Sequence, residues 1–269
     1  MLRLLLLSLL AATALAGLAA WRKALTRGGL LLAWALAVVI GFCGGLTGFL
    51  VLAATFVFTI ASGKLSGARR ERVEKDLHAK TGARDAAQIF CNVFTGALML
   101  VLYRLTGRLG FLWAYGGAMA ASLSDSMASE LGVLSKRPPR DILTGKPVQP
   151  GLSGGVTAFG FAMSALGAAL AAACFAGCTR AASGSFFPAF LDVTAAGFFA
   201  ALCDSVLGSG VQVKYRCAVC GKLTEKPVHC GEPGTAERGA RFMTNDAVNL
   251  CNNVLGAIAA LGLYAIHHP

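Results

Sequence analysis

Four short stretches of this sequence set carboxylates beside amides and hydroxyls at the edges of apolar runs. "SDSMASELG" carries Asp125, Ser129 and Glu130, and "CDSVLGSGVQ" carries Asp204, Ser205 and Gln212. "TNDAVNL" carries Asn245, Asp246 and Asn249, and "ARDAAQIFCN" carries Arg84, Gln88 and Asn92. A spacing of four puts Arg84, Gln88 and Asn92 on one helical face, and likewise Asn245 with Asn249 and Asp125 with Ser129. Glu130 lies about 140° from Asp125 around an ideal helix. Any one of these groups could simply cap or snorkel at a helix end, as Asn245 and Asp246 could at the start of the last apolar run. Ionisable groups at membrane depth are costly, and four such helix ends on one side point to a shared site. Carboxylates converging with amides and basic loops suit Mg²⁺ and a nucleotide triphosphate. The ion takes one or two carboxylates plus phosphate oxygens, and Lys and Arg neutralise the remaining charge. The basic candidates are Lys64 in "SGKLSG", Arg69, Arg70, Lys136 and Arg137. Gly154 and Gly155, in "QPGLSGGVTAFG", stand just ahead of an apolar run, where backbone N–H groups can approach an anion. A Gly-Gly pair also serves as a plain turn. The sequence contains no Walker A motif, GxGxxG or protein-kinase signature.

The elements that must position these residues are membrane helices. The chain has 56% hydrophobic and 14% charged residues over 269, with mean hydropathy +0.65, against about a quarter charged in soluble domains. Eight spans are predicted, roughly 2–20, 28–44, 46–62, 88–104, 109–125, 155–178, 184–204 and 246–266, in an all-α bundle forming one membrane domain, 1–269. The boundary at "FCGGLTGF" is the least distinct. Every Lys and Arg except Arg3, Arg104, Arg108 and Arg180 falls in 21–27, 63–87, 131–153 or 208–245. The positive-inside rule makes those segments cytoplasmic and puts both termini outside, with the cell membrane as the expected location. The net charge of +11 is then a topology signal, with attraction to anionic lipid or phosphate added, rather than a nucleic-acid footprint. The first segment contains "ALA", a cleavage-like triplet, but the stronger positive flank at Arg22, Lys23 and Arg27 follows it and favours an uncleaved helix.

The cytoplasmic loop 208–245 contains "YRCAVCGKLTEKPVHCG", with Cys217, Cys220, His229 and Cys230. A CxxCG turn is a zinc knuckle element, and four soft ligands suit a tetrahedral ion. The adjacency of His229 and Cys230 is non-standard, so free or redox-active thiols are the competing reading. Cys43, Cys91, Cys174, Cys178, Cys203 and Cys251 read as small packing residues in or near spans. Asp192, toward the opposite side, has no partner in the pattern and reads as structural.

The ordered motifs "SGKLS", "QIFCN", "SDSMASELG", "PGLSGGVTAFG", "CDSVLGSGVQ" and "TNDAVNL" resemble the integral membrane family that includes transmembrane protein 19 and plant phytyl-phosphate kinase. The resemblance covers about residues 30 to 260. It implies an NTP-dependent phosphorylation of an isoprenyl monophosphate to its diphosphate, an activity that belongs to one branch of the family. The order "SDSMASE…SKRPPRD…PGLSGG" is similar, more distantly, to the active-site order of phosphatidate cytidylyltransferases. That similarity implies CTP and Mg²⁺ acting on a lipid phosphate, with Asp125, Ser129, Lys136, Arg137, Asp141, Gly154 and Gly155 at the matching places. The His of that class is Leu152 or Ser153 here, and the Asp-Arg after its glycines is absent, which favours phosphoryl over cytidylyl transfer. Val93 stands where the nearer family commonly has glycine, and some members lack the knuckle. On this reading Asp125, Asp204 and Asp246 hold Mg²⁺ and the CTP or ATP donor, with Glu130 ligating metal or orienting Asp125's partners. Ser129 bonds phosphate, while Gln88, Asn92, Asn245 and Asn249 place the acceptor. A lipid transporter or flippase is the main alternative, since polar groups between helices also describe a substrate path.

Overall fold

The computed structural model describes residues 2–77, 82–183 and 185–268, excepting the side chains of 68–72, 74–76 and 181–183. Among the described residues seven helices carry the architecture: α1 Leu2–Trp21, α2 Arg27–Leu77, α3 Ala86–Thr106, α4 Leu109–Gly132, α5 Ala158–Ser183, α6 Phe186–Gly210 and α7 Asn245–His267. The helix α2 is broken twice, at Gly45 (φ 59°, ψ −145°) and Gly67 (φ 46°, ψ −134°). In an unbroken helix Ile40 and Gly48 would lie about 12 Å apart. Here a Cβ on Gly48 would sit 2.8 Å from the Ile40 carbonyl oxygen. The chain therefore folds back at Gly45, where a left-handed φ favours glycine, and the two arms pack against each other. The eight predicted spans correspond to α1, these two arms of α2, and α3 to α7.

Among the described residues six stretches are long and apolar enough to cross a membrane, the two arms counting as one, and α4 is not among them. The reason is position. Helix α4 packs against α2, α3, α5, α6 and α7, and from Leu112 to Ser124 every side chain is buried. A helix sheathed by other helices needs no lipid-facing surface, so it can carry Ser122, Ser124 and Asp125 along its length. Small residues let its neighbours close in. A Cβ on Gly117 would lie 2.2 Å from the Gly256 carbonyl oxygen of α7, and one on Gly197 of α6 would lie 2.6 Å from Ala120 Cβ. Trp113 meets Phe175 edge-on at 5.3 Å, and the Tyr115 hydroxyl donates to the Gly48 carbonyl at 2.5 Å.

Arg104 and Arg108 lie at the end of the bundle opposite to Arg84, Arg104 facing the Phe42 ring beside the α2 turn. The longer connections gather at the other end. There Thr26 N–H donates to the Arg84 carbonyl, and Thr224 Oγ1 donates to the Leu77 carbonyl at 3.0 Å. These connections contain short antiparallel strands. Strands β1 (Arg140–Asp141) and β2 (Gly155–Val156) pair with each other. In segment 211–244, β3 (Lys214–Arg216), β4 (Leu223–Thr224) and β7 (Thr235–Arg238) form a three-stranded sheet with β3 central, and β5 (Val228–His229) pairs with β6 (Glu232–Pro233).

Candidate functional site

A cavity of about 860 Å³ opens at the end of the bundle where the basic connections gather. It collects residues from all four polar stretches. Asp125, Ser129 and Glu130 reach it from the end of α4, Asp204 and Ser205 from α6, and Asn245, Asp246 and Asn249 from the first turns of α7. Arg84, Gln88 and Asn92 line it from α3 and its approach, and Lys136, Arg137, Gly154, Gly155 and Gln212 from the connecting loops. Lys64 is not part of this wall: it is exposed on α2. The side chains of Arg69 and Arg70 lie outside the described residues.

Local chemistry explains several placements. Helix α3 begins with a reciprocal capping box in which Asp85 Oδ1 accepts from Gln88 N–H at 2.9 Å and Gln88 Oε1 accepts from Asp85 N–H at 3.0 Å. The carbonyl side of Gln88 is thus occupied in the cap, while Asn92 donates to the Gln88 backbone carbonyl at 2.8 Å. Thr244 caps α7 through its hydroxyl, so neither Asn245 nor Asp246 is the cap. Glu130 is 2% exposed and sits 3.3 Å from Arg84 Nη2. That contact ties the end of α4 to the loop before α3, and the 140° offset from Asp125 still leaves both carboxylates on the cavity. Ser129 Oγ donates to Asp125 Oδ1 at 3.4 Å. Asp204 Oδ2 is buried and accepts no hydrogen bond among the described residues, so it has the capacity to ligate a cation. Asp125, Asp204 and Asp246 share the cavity but do not form a three-ligand cluster among the described residues.

The glycine stretch is built differently from the expectation of a helix N-terminus. Gly155 belongs to β2, and Thr157 Oγ1 accepts from Gly160 N–H at 2.9 Å where α5 begins. Gly154 (φ +84°) lies against α6, where an added Cβ would meet the backbone N and Cα of Ser209 at 2.5 Å. Its missing side chain therefore serves backbone packing. The neighbouring Ser153 is held from three directions. Its N–H donates to Glu225 Oε1 at 3.1 Å, and its hydroxyl donates to the same oxygen. Its carbonyl accepts from Lys214 Nζ at 2.7 Å, and its Oγ accepts from Gln212 Nε2 at 3.1 Å. Lys214 and Glu225 are buried at 1% and 7% exposure, and burial lowers the Lys214 amine from its usual range. The sequence offered Ser153 only as one of two residues at the place of the cytidylyltransferase His, and assigned no role to Lys214 or Glu225. The only signal of those two was charge within a loop dominated by its cysteines.

Asp141 does not line the cavity. It is 4% exposed; Oδ1 accepts from the N–H groups of Leu143 and Thr144 at 3.1 and 2.9 Å, and Oδ2 from Ser209 Oγ at 2.7 Å. Burial raises its carboxyl, but the bonds from Ser209, Thr144 and Leu143 outweigh that and hold it below the usual range. It is an anchor between the β1 turn and the end of α6. Asp192, at the other end, accepts from or donates to His267 Nδ1 across 2.9 Å, according to the proton's position.

In the connection after α6, the ligand atoms of Cys217, Cys220, His229 and Cys230 all lie within 4.8 Å of one another. The adjacency of His229 and Cys230 is accommodated because Cys230 has φ +55°, a left-handed turn that swings its side chain back beside the imidazole. The N–H of Cys220 donates to the Cys217 sulfur at 3.5 Å. That bond, assisted by His229, holds the Cys217 thiol down to about 6, so it is largely thiolate at neutral pH.

A second, narrower cleft lies between α1, the α2 arms, α3 and α4. Its walls include Ala12, Ala16, Ala33, Trp34, Phe56 and Met119, and it reaches Arg84, Gln88 and Asn92, which also line the main cavity.

Residues 10–257 match the family of integral membrane protein DUF92. Protein PGR of Arabidopsis thaliana is 30% identical over 264 residues, covering 82% of this chain and 89% of that protein. The uncharacterized membrane protein sll0875 of Synechocystis is 28% identical over 255 residues, covering 91% and 84%. The uncharacterized membrane protein MJ0933 of Methanocaldococcus jannaschii is 40% identical over 82 residues, covering 29% and 34%. No solved structure matches the chain significantly. With a family match running through all seven helices, the chain belongs to the DUF92 integral membrane proteins.

Proposed function

We propose that this protein is a membrane-embedded phosphotransferase that converts an isoprenyl monophosphate to its diphosphate with CTP or ATP as donor. One observation carries the reading: Arg84, Gln88 and Asn92 are common to the acid-and-base-lined cavity and to the apolar cleft. A substrate with a phosphate head and a hydrocarbon tail needs a polar and an apolar compartment joined at such a boundary. The tail lies in the cleft among the alanines of α1 and α2, continuing into lipid, and the head meets Arg84, Gln88 and Asn92. Lys136 and Arg137 neutralise the donor phosphates from the opposite loop. An oxygen of the acceptor monophosphate forms a bond to the γ-phosphorus as the bond from that phosphorus to the β–γ bridging oxygen breaks. The products are the isoprenyl diphosphate and a nucleoside diphosphate, and no protein nucleophile is required. Mg²⁺, when bound, supplies charge neutralisation at the phosphates. Asp125 and Asp204 would hold it, a role supported by the unpartnered buried oxygen of Asp204, with Asp246 completing the acidic wall. One or two carboxylates plus phosphate oxygens satisfy this ion, so a preformed three-carboxylate cluster is not needed. The active face is cytoplasmic on this reading and both termini are outside, because the basic connections surround the cavity.

The test is purified protein in lipid nanodiscs with γ-labelled CTP or ATP and isoprenyl phosphates of graded length, products resolved by thin-layer chromatography. Labelled isoprenyl diphosphate is expected from at least one nucleotide. Absence of transfer with both nucleotides across the panel rejects the reading, and lipid movement without transfer would replace it with transport.

A further inference from the structure

Segment 211–244 has almost no apolar interior. Its buried side chains are those of Gln212, Val213, Lys214, Cys217, Thr224 and Glu225, while Val219 and Val228 are 62% and 54% exposed. A unit this small without a core holds its shape only through cross-links, a metal or its neighbours. Cys217, Cys220 and Cys230 are free thiols, so no disulfide supplies the link. The segment has instead two hairpin turns pressed together. The β3–β4 turn carries Cys217 and Cys220, closed by Cys217 N–H to the Lys222 carbonyl. The β5–β6 turn carries His229 and Cys230. Tetrahedral zinc, with ligands at about 2.0–2.3 Å, sets ligand atoms about 3.3–3.8 Å apart. His229 Nδ1 lies 3.5 Å from Cys220 Sγ and 3.2 Å from Cys230 Sγ, and one bound ion would draw the rest inward.

The other ends of the same two strands reach the cavity wall. Lys214 opens β3 and Glu225 follows β4, and both grip Ser153. The turn with the cysteines and the grip on the glycine loop are thus two ends of one hairpin. We infer that Zn²⁺ bound by Cys217, Cys220, His229 and Cys230 makes this segment a buttress that fixes the glycine loop 150–156 in the cavity wall. The inference is independent of the reaction the cavity performs. Three thiolates and one imidazole leave no open coordination position, so the ion is structural. Lys214 and Glu225 are positioning residues whose geometry it sets.

The test uses the full chain in lipid nanodiscs, purified without chelator. Metal analysis should find about one zinc per chain, and Cys220→Ser should lose it. Hydrogen–deuterium exchange then follows peptide 150–156 while a zinc chelator removes the ion and added zinc restores it. Exchange there should rise about ten-fold on removal and recover on re-addition. Glu225→Gln should keep its zinc yet show the same faster exchange in that peptide. Should Cys220→Ser fail to fold, the chelation series on the unaltered protein decides alone. A folded, zinc-free preparation, or zinc whose removal leaves 150–156 as protected as before, overturns the inference.

Discussion

Replacing Gly154 with alanine tests whether the glycine loop is seated on α6 as described. Two independent costs apply. The residue has φ +84°, and an L side chain in that region costs about 1–2 kcal/mol. The new Cβ would also lie 2.5–2.6 Å from the backbone N, Cα and Cβ of Ser209, roughly 1 Å inside ordinary contact. Backbone cannot rotate away as a flexible side chain can, and overpacking of that kind costs about 1–3 kcal/mol. The expected loss is therefore about 2–5 kcal/mol. At about 2–4 °C per kcal/mol for a chain of this size, melting should fall by about 4–20 °C. The control is Gly177→Ala in α5, where among the described residues no atom beyond its own stretch of helix lies within 4 Å of the new methyl. A mid-helix alanine there should be neutral or stabilising by about 0.5–1 kcal/mol. Both variants would be melted in the same detergent with far-ultraviolet circular dichroism as the readout. A Gly154→Ala protein that melts with Gly177→Ala would refute the seating, and with it the claim that this glycine serves packing.

Asp125→Asn should leave the helical content unchanged and reduce phosphoryl transfer by about two or more powers of ten, whereas Lys64→Ala, outside the cavity, should retain normal turnover; both are read from initial rates at saturating nucleotide. Ala33→Leu, which narrows the apolar cleft, should raise KM for long isoprenyl phosphates more than for short ones, and a uniform effect across chain lengths would place the tail elsewhere. Asp141 has its carboxyl held below the usual range in the folded chain, so its stabilisation is fully present above the ordinary value near pH 4 and is lost as pH falls through the folded value. Acid titration of stability should show that loss in the unaltered protein, and Asp141→Asn, already weaker at neutral pH, should lack it.

The polar end of the bundle was readable because Asp, Asn and Gln are rare inside apolar runs, and their placement at matching helix ends survives any small error in span boundaries. The spans were readable by the same contrast, though two of them gave a weaker signal. The run from 28 to 62 is continuous in hydropathy, and only the glycines of "FCGGLTGF" mark the break that the backbone of Gly45 makes. Helix α4 has the composition of a doubtful span because its surroundings are protein. Hydropathy reports contact with lipid, and a sheathed helix is released from that requirement. Asp141 sits at the right place in a motif order yet points into a turn, since order along a chain does not fix side-chain direction. The grip of Lys214 and Glu225 on Ser153 joins residues about 60 to 70 positions apart, and nothing local to either partner announces it. His229 and Cys230 looked too close in sequence to act together because a left-handed Cys230 is not an expected conformation for a residue with a Cβ.

The contact between Gly117 and Gly256 is so close that α4 and α7 touch backbone to backbone. Asp125 lies eight residues beyond that contact on α4, and Asn249 seven residues before it on α7, so both are about 11–12 Å along their axes from the touching point. The seam continues toward both tips, with Asn252 Nδ2 donating to the Ala121 carbonyl at 3.2 Å, so the spacing of the two helices at the glycines is passed on to the cavity wall. A methyl group at either glycine would force the two backbones apart, and a tilt of about 5° at the pair would shift each tip by about 1 Å.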